Sequence, residues 1–211
     1  MLRKFWPHIL IVALVAAFVI LQPKSQPDSE REELGPFSMA RALNPHARTP
    51  ASPQWAATPP PSARGRAVRA GALLIDYARA RLARDTSESS FRLAIASYLE
   101  SAGAQDSAVA ILRRPPADTV GRAKALIDAL ATLGMGNALA GAWLEGARLS
   151  ADARDTSFFR AHPGRRAITT LGSDSTLTAV LRQMSDAIAQ RPLNADALGT
   201  TVRAVLEAAA R

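Results

Sequence analysis

The sequence contains no cysteine among its 211 residues. This absence excludes disulfide bonds, thiolate zinc sites, iron–sulfur clusters and covalently attached c-type haem. Histidine is also scarce, and no two of His8, His46 and His162 have the spacing of metal ligands. No phosphate-binding loop and no Gly-x-Ser-x-Gly motif is present. We therefore predict a protein that is not an enzyme and that holds no metal ion and no cofactor.

Aromatic residues are few, at 5% of the chain, although the formal net charge is +8. A nucleic-acid-binding protein usually concentrates its basic residues on one face and adds aromatic side chains that stack on bases. In this sequence the basic residues form no dense block, and acidic residues are interspersed throughout the C-terminal part. We therefore predict no nucleic-acid partner.

The sequence has one long hydrophobic run without charge, Phe5–Leu21. As a helix this run would span about 26 Å, close to the thickness of the hydrocarbon core of a bilayer. Ile20 and Leu21 are too bulky for the small-residue cleavage site of a signal peptide. We therefore predict a transmembrane helix over residues 5–21 that is retained as an anchor, with a cleaved signal peptide as the alternative.

The charges around this run predict its orientation. Arg3 and Lys4 precede it, so residues 1–4 should stay in the cytoplasm and the C-terminal part should lie in the periplasm of a bacterial inner membrane. Trp6 is expected near the lipid headgroups, where it would contact lipid or a partner. His8 either stays hydrated there or contacts a pigment or a neighbouring helix.

Residues 22–65 are predicted to form an extended tether, because prolines recur too closely for a long helix or strand. Apolar side chains nevertheless recur along it, and they gain nothing in a solvated linker. We predict that four of them, together with Trp6, bind subunits of a membrane complex over which the tether is draped: Phe37, Met39, Leu43 and Trp55. Within the tether, Ser38–Leu43 has the pattern of one helical turn. A free linker is the alternative to the draped segment.

Residues 66–211 are predicted to form an all-α domain of seven or eight short helices. Leu177, Val180, Leu181 and Met184 illustrate the helical spacing of its apolar residues. Capping and helix-breaking residues mark the expected helix boundaries: Asp85–Glu88, Pro115–Pro116, Gly134 with Gly136, Pro163–Gly164, Asp174–Ser175 and Asn194.

The domain also contains an internal similarity between its first and second halves. Residues 70–74 are AGALL and residues 140–144 are AGAWL, while ARDTS occurs at both 83–87 and 153–157. These matches occur in the same order along the chain and at the same shift. They predict duplication of a unit of about 70 residues, with chance similarity in an Ala/Arg-rich sequence as the alternative.

Parts of the domain resemble the tetratricopeptide repeat family, whose unit is half this length. Val180, Met184, Ala187 and Pro192 lie where that family places its small, aromatic, small and proline positions. The resemblance implies stacked helical hairpins that bind protein or peptide surfaces.

The overall layout is also similar to that of accessory single-span subunits of bacterial reaction-centre–light-harvesting complexes. We therefore predict a non-catalytic subunit that braces a multi-protein membrane complex from the periplasmic side. The alternative is a membrane-anchored periplasmic adaptor whose peptide-binding helical domain is carried on a flexible tether.

Overall fold

The computed structural model describes residues 35–43, 59–104, 106–114 and 119–211, with the side chains of residues 107, 108 and 119–129 left aside. These ranges contain helices and no β-strand, which confirms the all-α prediction for this part of the chain. The helices are α1 (Pro36–Arg41), α2 (Ala63–Leu82), α3 (Glu88–Ser101), α4 (Asp106–Arg113), α5 (Thr119–Asp152), α6 (Ser157–Ala161), α7 (Arg165–Leu171), α8 (Thr178–Ala189) and α9 (Ala195–Ala209). A 3₁₀ turn, Ser175–Leu177, precedes α8.

The predicted capping residues lie at helix starts. Asp174 Oδ1 accepts a hydrogen bond from the Thr176 amide at 2.8 Å at the start of the 3₁₀ turn. Asn194 Oδ1 accepts the amides of two residues in the first turn of α9. Short polar side chains at these positions satisfy backbone N–H groups that have no partner within the helix. The predicted boundaries at Asp174 and Asn194 are thus confirmed.

Gly134 marks a sharp break within α5. Its φ of 105° and ψ of 86° are not helical, and glycine alone adopts such a conformation readily. The predicted break between two helices therefore lies at Gly134, whereas Gly136 lies within the second segment. We call residues 135–152 the arm of α5.

Helix α2 is the central helix of the described domain. Most of its residues between Gly65 and Ala80 are buried, and its apolar side chains enter two hydrophobic clusters. Val68 and Ile75 belong to a cluster with the arm of α5 and residues from α6 to α9. Leu74 and Tyr77 belong to a second cluster with residues of α3 and α4. A helix buried on all sides is expected to organise the packing of its neighbours.

Two glycines allow α2 and the arm of α5 to cross in backbone contact. A Cβ atom added at Gly71 would lie 1.7 Å from the carbonyl oxygen of Ala138. One added at Gly141 would lie 2.0 Å from the carbonyl oxygen of Val68. The internal similarity of the sequence relates Gly71 to Gly141 and Val68 to Ala138, so each contact is the counterpart of the other.

The two ARDTS segments also share one conformation. Arg84 and Arg154 have positive φ values of 53° and 54°. In the first segment Asp85 Oδ1 accepts the Ser87 amide at 2.8 Å, and in the second the equivalent distance is 2.9 Å. Each segment therefore ends one long helix and starts the next in the same way.

Among the helices of the described ranges, none combines the length and the apolar composition that a membrane span requires. The predicted cytoplasmic residues 1–4 and the predicted span 5–21 lie outside these ranges.

Candidate functional site

Three of the five predicted partner-binding residues lie in the described part of the chain. Met39 and Leu43 are buried, and Phe37 is half-buried and touches both hydrophobic clusters. Helix α1, which carries Phe37 and Met39, packs against α2 and α5 of the same chain. Trp6 and Trp55 lie outside the described residues.

Residues 36–43 thus differ from the extended conformation expected for the tether as a whole, whereas the helical turn indicated by the pattern of Ser38–Leu43 overlaps α1. Pro36 is in the first turn of α1, where its missing N–H is not needed. Met39 and Leu43 are four residues apart, so they lie on one side of the turn and enter the core together. Burying such a side chain contributes about 1.5–3 kcal/mol, which favours the docked turn. Binding of a partner by these residues stays a prediction, since here they face the chain's own core.

A cluster of charged side chains lies between α2 and the arm of α5. Glu145 is 2% exposed and accepts a hydrogen bond from Arg148 Nε at 2.9 Å. Arg148 Nη1 also donates to Asp152 Oδ2 at 2.8 Å, and Asp152 Oδ1 accepts from Arg203 Nη1 of α9 at 2.7 Å. This network links the arm of α5 to α9 by charge-assisted hydrogen bonds.

Asp76 of α2 is the least satisfied member of this cluster. It is 8% exposed, and its Oδ1 atom has no hydrogen-bond partner among the described residues. Burial, and then the charge of Glu145, raise the pKa of Asp76 well above its ordinary value, while Arg148 and Arg79 act in the opposite direction. Burial of a carboxylate away from water favours its protonated form.

We expect the Asp76→Asn variant to gain stability relative to the original chain as the pH rises above about 4. Since the folded protein holds the Asp76 proton more tightly than the unfolded chain, ionisation of Asp76 favours unfolding. Its stabilising contribution is complete below the unfolded pKa and is lost as the pH rises through the folded pKa. Urea unfolding of the full chain in non-ionic detergent, followed by circular dichroism at several pH values, measures the difference.

The Asp85→Asn variant is a control of opposite sign. The hydrogen bond from the Ser87 amide lowers the pKa of Asp85, so its contribution is present above the unfolded pKa and is lost as the pH falls through the folded one. This variant should therefore lose stability relative to the original chain as the pH rises. Equal pH dependence of the Asp76→Asn variant and the original chain would contradict the burial argument.

An open groove of about 440 Å³ lies where α6, the turn after it and the end of α8 meet. Phe159, Pro163, Ile188 and Leu193 contribute its apolar surface, and two exposed arginines contribute its charge: Arg160 and Arg191. We call it the Arg160–Arg191 groove. Arg191 Nη1 donates to the carbonyl oxygens of Ile188 and Gln190, both at 2.7 Å, which holds this arginine at the C-terminal end of α8.

His162 is close to this groove but serves packing. It is 5% exposed, its carbonyl oxygen accepts a hydrogen bond from Trp143 Nε1 at 2.9 Å, and its ring lies 5.3 Å from that of Phe158. Within the described ranges, no three histidine, aspartate or glutamate residues come together in a way that could hold a metal ion. His8 and His46 lie outside those ranges.

The chain matches no protein-family model, and comparisons with curated proteins and with solved structures likewise give no match.

Neither the charge cluster nor the groove was predicted from the sequence. A signal for the cluster was present, because Asp76 and Glu145 each interrupt an otherwise apolar helical stretch, AGALLIDYA and AGAWLEGA. The groove left no comparable signal. Arg160 and Arg191 are far apart in the sequence, and only the packing of α6 beside α8 brings them to one surface.

Proposed function

We propose that this chain is a non-catalytic, single-span subunit that braces a multi-protein membrane complex from the periplasmic side, with a bacterial reaction-centre–light-harvesting complex as one candidate. The observation that carries the proposal is the docking of α1 on the helical domain. If Leu21 ends the membrane span, this docking leaves residues 22–35 between the span and the domain, instead of residues 22–65. This shorter connection spans about 43 Å if it is fully polyproline-like. A short connection suits a brace that acts near the membrane.

The proposal includes an origin of the domain by duplication of the unit that the sequence predicts. The counterpart contacts of Gly71 and Gly141, and the common conformation of the two ARDTS segments, support it. Such a duplication would produce stacked helical hairpins similar to tetratricopeptide repeats. Stacks of this kind bind protein surfaces. The proposed partners are membrane lipids and integral membrane subunits, with the N-terminus in the cytoplasm.

A second candidate function is a membrane-anchored periplasmic adaptor with a peptide-binding domain. The open Arg160–Arg191 groove favours it, because its apolar floor and charged rim are features of a binding site. In the adaptor the domain binds its partner through this groove alone, whereas in the brace the domain contacts several subunits of one assembly.

Blue native electrophoresis of mildly solubilised native membranes tests the brace against the adaptor. We expect the chain to migrate with a large complex at fixed stoichiometry, and we expect deletion of its gene to make that complex dissociate at lower detergent concentration. Migration as a monomer, with an unchanged complex in the deletion strain, would contradict the brace.

Two further experiments test the anchor and its orientation. We expect the chain to resist extraction from membranes by carbonate, and we expect protease to cut it from the periplasmic side only.

We expect the Met39→Asp variant to release α1 from the domain. Met39 is fully buried, and a carboxylate at this position would be desolvated among apolar side chains. Trypsin should then cut after Arg41 at least tenfold faster than in the original chain, as measured by mass spectrometry of timed digests. Ser38→Asp, on the half-buried side of the same helix, is the matched control and should change the rate much less. An unchanged rate in the Met39→Asp variant would argue against a docked α1.

A further inference from the structure

We propose that the Arg160–Arg191 groove binds a segment of a partner protein in which a carboxylate lies next to an apolar side chain. The proposal rests on the protein-binding role proposed above, but it requires neither a membrane anchor nor a particular complex. It identifies where on the domain a partner binds and what chemistry that partner presents.

The floor of the groove provides the apolar part of the site. Phe159 is itself 4% exposed, so its ring forms a fixed wall, while Ile188, Leu193 and Pro163 stay partly exposed around it. A volume of about 440 Å³ is within the usual range for ligand pockets. An apolar side chain of a partner would cover surface here that the chain's own residues leave in contact with water.

The rim of the groove provides the charge. Its lining includes two arginines and no acidic residue, and neither Arg160 nor Arg191 has an ion pair within the part of the chain described. Some exposed arginines elsewhere are paired, such as Arg203 with Asp152 and Arg113 with Glu100. The groove therefore presents uncompensated positive charge beside an apolar surface, which is complementary to a carboxylate flanked by an apolar group.

Arg191 is also held in position before any ligand binds. Its Nη1 atom donates to two carbonyl oxygens near the end of α8, so part of its side-chain entropy is already lost. The guanidinium has further N–H groups, which can donate hydrogen bonds to a carboxylate. An arginine arranged in this way favours carboxylate recognition over nonspecific attraction.

Fluorescence anisotropy of the full chain in non-ionic detergent tests the proposal. The probe is the fluorescein-labelled peptide Gly-Ser-Gly-Leu-Glu-Leu with a free terminal carboxylate. We expect saturable binding that weakens at least tenfold when glutamine replaces its glutamate and an amide caps its terminus. Replacement of both leucines by glycine should weaken it to a similar extent.

The variants locate the binding on the protein. The double variant Arg160→Gln with Arg191→Gln should lower the affinity for the peptide at least tenfold. The single variant Arg160→Gln should lower it by a smaller factor, and it leaves intact the hydrogen bonds of Arg191 at the end of α8. Arg182→Gln with Arg211→Gln removes the same charge from exposed positions outside the groove lining, and it should change affinity less than twofold. Unchanged circular dichroism shows that each variant folds.

Several results would overturn the proposal. They are the absence of saturable peptide binding, an equal loss of peptide affinity in the two double variants, and an unchanged affinity for the peptide whose leucines are replaced by glycine. Binding of soluble short-chain phosphatidylglycerol in place of the peptide would assign the groove to lipid and would also overturn it. Any of these results could occur while the chain still migrates with a large complex, so the groove and the bracing role fail independently.

Discussion

The Gly141→Ala variant is expected to lose about 3 kcal/mol or more of its free energy of unfolding. A single methyl group at this position would lie 2.0 Å from the carbonyl oxygen of Val68. This obstacle is backbone, so no side chain can rotate away and α2 must move from the arm of α5. Residues of both hydrophobic clusters border the crossing. Gly71→Ala should have an effect of similar size, because its new Cβ would meet the carbonyl oxygen of Ala138.

Gly199→Ala is the matched control for these substitutions. Gly199 is also buried within a helix, but a Cβ there would have its nearest neighbours at 3.4 Å, which is ordinary contact. Alanine should therefore keep or raise stability by up to ~1 kcal/mol through its helix propensity. Chemical denaturation of the full chain in detergent, followed by circular dichroism, measures all three variants. An equal change in the free energy of unfolding for Gly141→Ala and Gly199→Ala would contradict a backbone-to-backbone crossing.

The Arg148→Met variant is expected to lose about 3–5 kcal/mol, because it leaves a buried charge without its partner. Glu145 is 2% exposed and Arg148 is 15% exposed, so water compensates little for the loss. The charge of Arg148 also opposes the rise in the pKa of Asp76, and its removal should raise that pKa further. The pH dependence of stability caused by Asp76 should thus extend to higher pH in this variant.

Arg203→Met provides the control for Arg148→Met. Arg203 contacts Asp152 at 2.7 Å, a distance similar to the 2.8 Å between Arg148 and Asp152. It is 49% exposed, so its loss should cost no more than about 1 kcal/mol. The double variant Arg148→Met with Glu145→Gln should recover part of the loss of the single variant, since it removes the unpaired charge. A loss of equal size in Arg203→Met would show that burial does not decide the effect.

Local chemistry was sufficient to predict several helix boundaries. Asp174 and Asn194 cap their helices through contacts two or three residues away. Gly134 breaks α5 through its own backbone angles. The two ARDTS segments were recognisable because their residues are identical, and in the structure each contains an arginine with a positive φ at the end of a helix. Such features need no distant partner, and for that reason sequence patterns identify them.

The apolar residues of the tether have a location that local sequence patterns do not determine. Their pattern in the sequence led to the prediction that Met39 and Leu43 bind a partner, and in the structure both are buried in the chain's own core. A helical turn with an apolar side packs equally well on another protein or on its own chain, so the pattern alone does not distinguish the two. In the structure α1 covers parts of α2 and α5, so the domain begins closer to residue 35 than the prolines suggested.

The sequence by itself determined that the C-terminal part is helical, where several of its helices begin and end, and that the stretches around AGALL and AGAWL are alike. Tertiary structure alone decided that Gly71 and Gly141 meet each other's helices, that Asp76 lies beside Glu145, and that Arg160 and Arg191 share a groove. The physical reason is the separation along the chain of the residues that produce each feature. Capping and backbone angles act within a few residues, whereas burial, pKa shifts and groove chemistry arise from residues that only packing brings together.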